Sequence, residues 1–302
     1  MFWNLDASVK NIFCCLALAA VWPATAVSGE LRVTDDAGRT VVLVQPARRI
    51  VSLAPHITEM LHAAGAGERI VGAVEYSDYP PAARSVARIG SYTRLDIERV
   101  LALKPDLAIG WASGNHRADL EKLEQLGIPL YVSEPRRLED VAGNLERFGE
   151  LAGSAAVARR AADDFRARRA ALHKQYSARP AVRMFYEIWN QPLMTVNGEQ
   201  VISDVVRLCG GENVFADLKT LAATINVEAV LAADPEAIVA SGMDEQRPEW
   251  LDDWRRYPML RAVQRDNLFF IPPDLLQRHT PRLLDGAEQL CRALETARGR
   301  RR

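Results

Sequence analysis

Three side chains of metal-ligand type, His56, Glu59 and His62, stand in one short stretch of this chain, and His279 lies far downstream. Neutral imidazole and carboxylate both hold divalent ions well. On a helix, however, positions i and i+6 lie about 240° apart, so the first two histidines do not share a face. Rings packed in a core or at a cleft rim are expected there, and no metal site is. His279 has two readings: a packed ring, or an imidazole within reach of a metal carried by a ligand. Other chemistries lack their residues, since the chain has no GxSxG elbow, phosphate loop, HExxH or zinc-type CxxC pair.

Carboxylates in register are the stronger signal. "DIERVLALKPDLAIGW" (Asp96–Trp111) and "NVEAVLAADPEAIVAS" (Asn226–Ser241) align without gaps and share Glu, Val, Leu, Ala and Pro at the same places. Glu98 and Glu228 fall at equivalent positions, 130 residues apart. Each unit reads as N-cap, helix, proline break and strand. A glutamate in a first helical turn favours the helix dipole by about 0.3–1 kcal/mol. That accounts for either residue alone but not for their pairing across the two halves.

The elements that must carry these residues alternate. "LRVTDDAGRTVVLVQPARRIVSL" reads as a hairpin turning at Asp36-Ala37-Gly38, followed by a strand at Arg49–Leu53. "TEMLHAAGAG" is a helix ended by glycine, "IVGAVEY" a buried strand, and "ADLEKLEQLGIPLYVSEP" a further helix-to-strand step. From Leu138 the pattern turns helical. The helix beginning at Ser154 runs about 23 residues, roughly 34 Å, with Val157, Ala161, Phe165, Leu172 and Tyr176 as its apolar stripe. After Pro180 alternation resumes through "VRMFYEIW", "VISDVVRLCGGENVF" (capped at Gly210-Gly211), the second unit, "LFFIPPD" and a final helix from Pro281. Trp250 and Trp254, at i and i+4, read as helix anchors. Strands alternating with helices imply parallel sheets of βαβ type.

Composition sets the frame. The 302 residues carry a formal net charge of −1, so no basic excess points to nucleic acid. The closing "RGRRR" reads as a frayed, solvated tail. "NIFCCLALAAVW" is too short to cross a bilayer, and Lys10 before it and Ala24-Thr25-Ala26 after it make residues 1–26 a cleaved secretory leader. Cys14 and Cys15 leave with that leader. Cys209 and Cys291 then form one disulfide closing a loop of about 80 residues, worth roughly 4 kcal/mol, or remain two buried thiols.

The whole pattern from Arg48 onward resembles the substrate-binding proteins of ABC importers that handle cobalamin, haem and iron–siderophore complexes. The likeness rests on "RIVSLAPHITEMLHAAGAGERIVG", "YSDYPP", "LALKPDLAIGW", "LCGGENVF" and "DPEAIV", and it is greatest to the cobalamin binders of the periplasm. It implies two similar α/β lobes, each a mainly parallel sheet flanked by helices, joined by one long rigid helix. On this chain that means a first lobe at 30–150, a connecting helix at 151–179 and a second lobe at 180–300. It also implies the Cys209–Cys291 bridge and a cobalamin-type ligand in the inter-lobe cleft. Glu98 and Glu228 then match carboxylates offered to basic pockets of a permease dimer, where complementary charge steers and orients docking.

For the ligand, the resemblance implies Tyr76, Tyr92 and Trp111 as aromatic contacts, and Asp274 and Arg278 as polar ones. Rings that follow strands suit a flat, amphipathic chelate. Asp274 and Arg278 read equally as a structural ion pair. A family aromatic expected before Glu228 is absent from "TLAATI", and Trp189 in "EIWNQP" is its candidate replacement, with Ile188 the other side chain placed to face the cleft. The expected protein is therefore a monomeric periplasmic carrier without cofactor or enzyme activity. Haem or an iron–siderophore complex is the alternative cargo, and an exported enzyme using the same cleft is the alternative class.

Overall fold

The computed structural model describes residues 1, 30–242 and 246–301. The expected leader, with Cys14 and Cys15, lies outside the described residues apart from Met1.

The first lobe opens with an antiparallel hairpin, β1 (Leu31–Thr34) and β2 (Thr40–Leu43), whose turn places Gly38 at a φ of 78°. A glycine costs little in that left-handed region. There follow β3 (Ile50–Ser52), α1 (Pro55–Ala63), β4 (Ile70–Ala73), the short pair β5 (Gly90–Ser91) and β6 (Arg94–Leu95), α2 (Ile97–Ala102), β7 (Leu107–Trp111), α3 (Arg117–Gln125) and β8 (Leu130–Ser133). Four of these strands make a parallel sheet in the order β4-β3-β7-β8. Helices α4 (Leu138–Ala152) and α5 (Ala155–Tyr176) come next.

The second lobe repeats the scheme. Its elements are β9 (Val182–Glu187), β10 (Trp189–Asn190), β11 (Leu193–Val196), α6 (Val201–Leu208), β12 (Gly211–Asn213), β13 (Ala222–Thr224), α7 (Val227–Ala233), β14 (Ala237–Ala240), a 3-10 helix at Glu249–Arg256, α8 (Arg261–Gln264), β15 (Leu268–Phe270), α9 (Pro273–Leu276) and α10 (Leu283–Gly299). The parallel strands run β12-β9-β14-β15, so both sheets follow one order: second, first, third, fourth. A small antiparallel sheet, β10-β11-β13, is added beside it. The central strands β3 and β14 are buried along their length and β9 at every residue but Arg183, as expected of parallel sheets covered on both faces.

The two sequence twins land at the same place in each lobe, as the helix leading into the third parallel strand. Asp96 caps α2 by accepting from the Arg99 N–H, and Asn226 caps α7 by accepting from the Ala229 N–H. Helix α5 packs on α1 and α4 towards the first lobe and on α6 and α10 towards the second.

Several expectations are corrected. The apolar stripe of α5 holds at Phe165, Leu172 and Tyr176 but starts one residue later than expected: Ala158 and Ala162 are buried in place of Val157 and Ala161, and Val157 is 41% exposed. The reason is close approach, because α4 offers Gly149 and only a small side chain such as Ala158 fits against it. "GGEN" caps α6 through Gly210, yet Gly211–Asn213 continues as edge strand β12. The tryptophans of Glu249–Arg256 sit on a 3-10 helix, with Trp254 buried and Trp250 partly exposed. The basic tail is tied down as far as Arg301: Arg298 donates to the carbonyls of Pro180, Cys209 and Gly210, and Arg301 reaches Glu236. Carbonyls at the foot of the second sheet attract these guanidiniums more than bulk solvent does.

Cys209 and Cys291 form a disulfide between the C-terminal cap of α6 and the middle of α10, across 82 residues of sequence. Loop-closure entropy makes this worth about 4 kcal/mol. Replacing both cysteines by serine is expected to lower the urea-unfolding free energy by that order, with little change in far-UV circular dichroism. A loss under about 1 kcal/mol would show that the bridge constrains little.

Candidate functional site

An apolar-walled cleft of about 720 Å³ lies at the seam between the lobes, at the C-terminal ends of β7, β8 and β9. In α/β sheets such ends are where loops leave room for a ligand. One wall carries the rings of Tyr92 and Trp111, 6.1 Å apart and tilted by 44°. The opposite wall is aliphatic, with Ile188, Met194, Val196 and Ile202, and Glu134, Arg136, Gln200 and Gln277 add polar edges.

The two rings are held by a residue the sequence reading did not single out. Buried Asn115 accepts from the Trp111 N–H at 2.6 Å, and its amide donates at 2.7 Å to the carbonyls of both Leu53 and Tyr92. One side chain thus ties together the ends of β3 and β7 and the β5–β6 turn. Gly114 completes the seat: a Cβ there would lie 1.8 Å from the Trp111 ring, so no larger residue fits. The available signal was spacing, since an Asn four residues after a strand-ending aromatic suits a side-chain-closed turn.

Under Trp111 the lobes touch. His56 on α1 meets the Trp111 ring edge-on at 5.1 Å, and His279 of the second lobe lies 5.2 Å from His56 and 5.9 Å from Trp111. Burial pushes the His279 imidazole down to about 4, and burial, followed by neighbouring His279 and Arg278, holds His56 well below its usual range. Both rings are therefore neutral near pH 7. Among the described residues no group of three or more ligating side chains is placed to hold a metal ion. His62 points away from this cluster and packs over Gly67.

Beside the rings lies a buried ionic contact between the lobes. Glu59, one turn after His56 on the same face of α1, has a side chain only 2% exposed. It accepts from Arg278 at 2.8 Å and from Arg282 twice, at 3.0 Å each. Arg278 also pairs with Asp78 and Asp274 at 2.9 Å, and the Arg282 guanidinium lies 3.9 Å from the centre of the Tyr79 ring. Asp274 and Arg278 thus form the structural ion pair that the sequence left open, engaged at the seam rather than lining the cavity.

The remaining candidates fall in different places. Tyr76 is 71% exposed, at a φ of 62°, and is outside the cavity lining. Ile188, not Trp189, faces the cleft. Trp189 lies edge-on to Trp250 at 6.3 Å and donates to the Gln191 carbonyl. Pairing of β10 with β11 turns it that way. Glu98 and Glu228 are both exposed, one on each lobe, in the first turns of α2 and α7.

Comparison with known proteins places this geometry. The family described as Periplasmic binding protein matches residues 50–275. The chain belongs to that family. It is 39% identical over 252 residues to the Vitamin B12-binding protein of Vibrio cholerae serotype O1, covering 83% of this chain and 91% of that one. It is 35% identical over 257 residues to the protein of the same name from Vibrio parahaemolyticus, covering 85% and 93%. The crystal structure of the periplasmic vitamin B12 binding protein BtuF of V. cholerae matches with a TM-score of 0.78, over 84% of this chain and 98% of its own. The periplasmic heme-binding protein RhuT from Roseiflexus sp. RS-1, 22% identical with a TM-score of 0.70 over 83% and 99%, shares the fold. The expected type III architecture, two like lobes on a long helix, is the one observed.

Family membership makes the seam contacts consequential, because the cleft between lobes is what a binding protein must hold in shape. Breaking a buried pair leaves uncompensated charge and costs about 3–5 kcal/mol. Glu59→Ala is therefore expected to destabilise the fold by about 3 kcal/mol in urea titration and to widen the lobe separation seen by small-angle scattering. Unchanged stability and scattering would show that the arginines do not join the lobes.

Proposed function

We propose that this protein captures cobalamin or a close corrinoid in the inter-lobe cleft and delivers it to the permease of an ABC importer from the periplasm. One observation carries the reading. A cleft of about 720 Å³ sets two tilted rings opposite an aliphatic wall, in a chain 39% identical to a Vitamin B12-binding protein. A corrinoid is broad and amphipathic, with an apolar macrocycle and amide arms. Such a ligand is buried best between aromatic and aliphatic surfaces with polar groups at the rim. Tyr92 and Trp111 supply the aromatic surface, Ile188 and Met194 face them, and Arg136, Gln200 and Gln277 stand where amide arms emerge. Tyr76, Trp189, Asp274 and Arg278 act from outside the cavity, the last two by holding its width.

Delivery needs two anchors of one sign, one on each lobe. Glu98 and Glu228 are exposed on equivalent helices, and neither forms an ion pair among the described residues. Each is thus available to a basic pocket on a two-fold permease, with Coulomb attraction setting orientation and encounter rate. The protein acts as a monomer, binds its cargo without transforming it and uses no cofactor of its own.

Calorimetric titration with cyanocobalamin, haemin and a ferric siderophore tests the ligand. Saturable binding of one cyanocobalamin per chain is expected, weakened at least tenfold in Trp111→Ala. Tight haemin binding without cyanocobalamin binding would transfer the site to haem. For delivery, Glu98→Ala with Glu228→Ala is expected to abolish stimulation of the cognate permease ATPase while leaving cyanocobalamin affinity intact. Equal loss of both would remove the docking role.

A further inference from the structure

Strand β9 ends where its alternation separates two environments. Ile188, just past it, faces the inter-lobe cleft, whereas Glu187 belongs to a smaller cavity of about 140 Å³ within the second lobe. The rings of Trp250, Trp254 and Tyr257 line that cavity with Glu187. We propose that this cavity is a binding site for a small, free alkylammonium cation, held between the Glu187 carboxylate and these aromatic rings.

The chemistry follows from what surrounds the acid. Glu187 is 1% exposed, and among the described residues the one donor to its carboxyl is the Trp254 indole N–H at 2.8 Å. A buried carboxyl of this kind ordinarily has a cationic partner. The charged and titratable groups facing it are Asp253, Arg256 and Tyr257. Arg256 is taken up by Asp253 at 2.8 Å, both being well exposed, so no cation among the described residues neutralises Glu187. Burial, with a smaller push from Asp253 and against the Trp254 bond, raises the Glu187 carboxyl to about 8.

A ring face attracts a cation through its quadrupole, and desolvation strengthens the attraction. Trp254 and Tyr257 lie 5.9 Å apart at 49°, with Phe185 edge-on behind Trp254 at 5.8 Å. The volume matches roughly five waters at about 30 Å³ each, enough for a few heavy atoms and far too small for a macrocycle. An alkylammonium in this cavity supplies the missing positive charge, and the carboxyl releases its proton to solvent as the cation enters. The site shares none of its lining with the inter-lobe cleft, so it stands or falls apart from the proposed cargo.

Tetramethylammonium chloride tests the site, by calorimetry and tryptophan fluorescence against equal sodium chloride and against neutral tert-butanol. The ionised fraction of a group near pKa 8 rises roughly 100-fold between about pH 6 and pH 9, so binding is expected to tighten by at least tenfold over that range. Proton release is expected at about pH 7 in buffers of differing ionisation enthalpy. Glu187→Gln keeps the Trp254 acceptor and is expected to weaken binding at least tenfold at about pH 9 and to flatten the pH dependence. Should that variant not fold, Trp250→Leu, at a partly exposed position, carries the test with the same expected loss. No saturable response at either pH, an equal response to tert-butanol, or binding unaltered in a folded variant overturns the proposal.

Discussion

Glu59 decides the geometry of this molecule. It is a carboxylate of the first lobe, almost fully buried, with every strong partner supplied by the second. Burying charge is costly, and a buried pair stabilises little relative to apolar packing. What such a pair does well is forbid alternatives, since separating the lobes would leave Glu59 without an ionic partner and Arg278 and Arg282 with Asp274 alone. The neutral His56 and His279 rings beside it extend the contact without adding repulsion, because burial keeps both unprotonated near pH 7. Helix α5 sets the distance between lobes from behind, and the Glu59 cluster sets their angle from within.

A cleft of fixed width permits fixed walls. Trp111 is held by Asn115, which also holds the Tyr92 turn, so the ring pair moves with the ends of β3 and β7 rather than as loose loop residues. In the aliphatic wall opposite, Met194 and Val196 rise from β11, itself paired to β10 and β13, Ile188 lies between β9 and β10, and Ile202 is on α6. Both surfaces are thus built on strands, the turns that join them and one helix. Little conformational entropy remains to be lost when a bulky ligand enters, and that favours affinity more than added contact area does.

Much of this was legible in the sequence because it is local. The helix, proline break and strand of Asp96–Trp111 and Asn226–Ser241 are written in caps and breakers, and both units fold as read. What was misplaced depends on partners distant in sequence. The first turns of the α5 stripe start one residue late because Gly149 of another helix selects Ala158. Trp189 turned from the cleft because β10 pairs with β11. The basic tail is ordered because carbonyls 88 to 118 residues upstream accept the Arg298 guanidinium. Arg282 lies four residues beyond Arg278, in the irregular segment between α9 and α10, where no local pattern marks it. Its role appears only when α1 brings Glu59 across the seam, a contact spanning 223 residues.

Glu187 poses the opposite problem from Glu59, for it is equally buried and yet lacks a cation among the described residues. Its carboxyl is raised from 4.5 to about 8, so the folded chain keeps a proton that the unfolded chain releases. Stability therefore declines as pH rises from about 4.5 through about 8, by an amount approaching 5 kcal/mol at about 1.4 kcal/mol per unit. A glutamine would keep the Trp254 bond and remove that penalty. Buried acids held at a cost among aromatic rings are a common mark of functional sites, where stability gives way to binding. A cation in the adjoining cavity reverses the sign, because it turns the ionised carboxylate from the disfavoured form into the paired one.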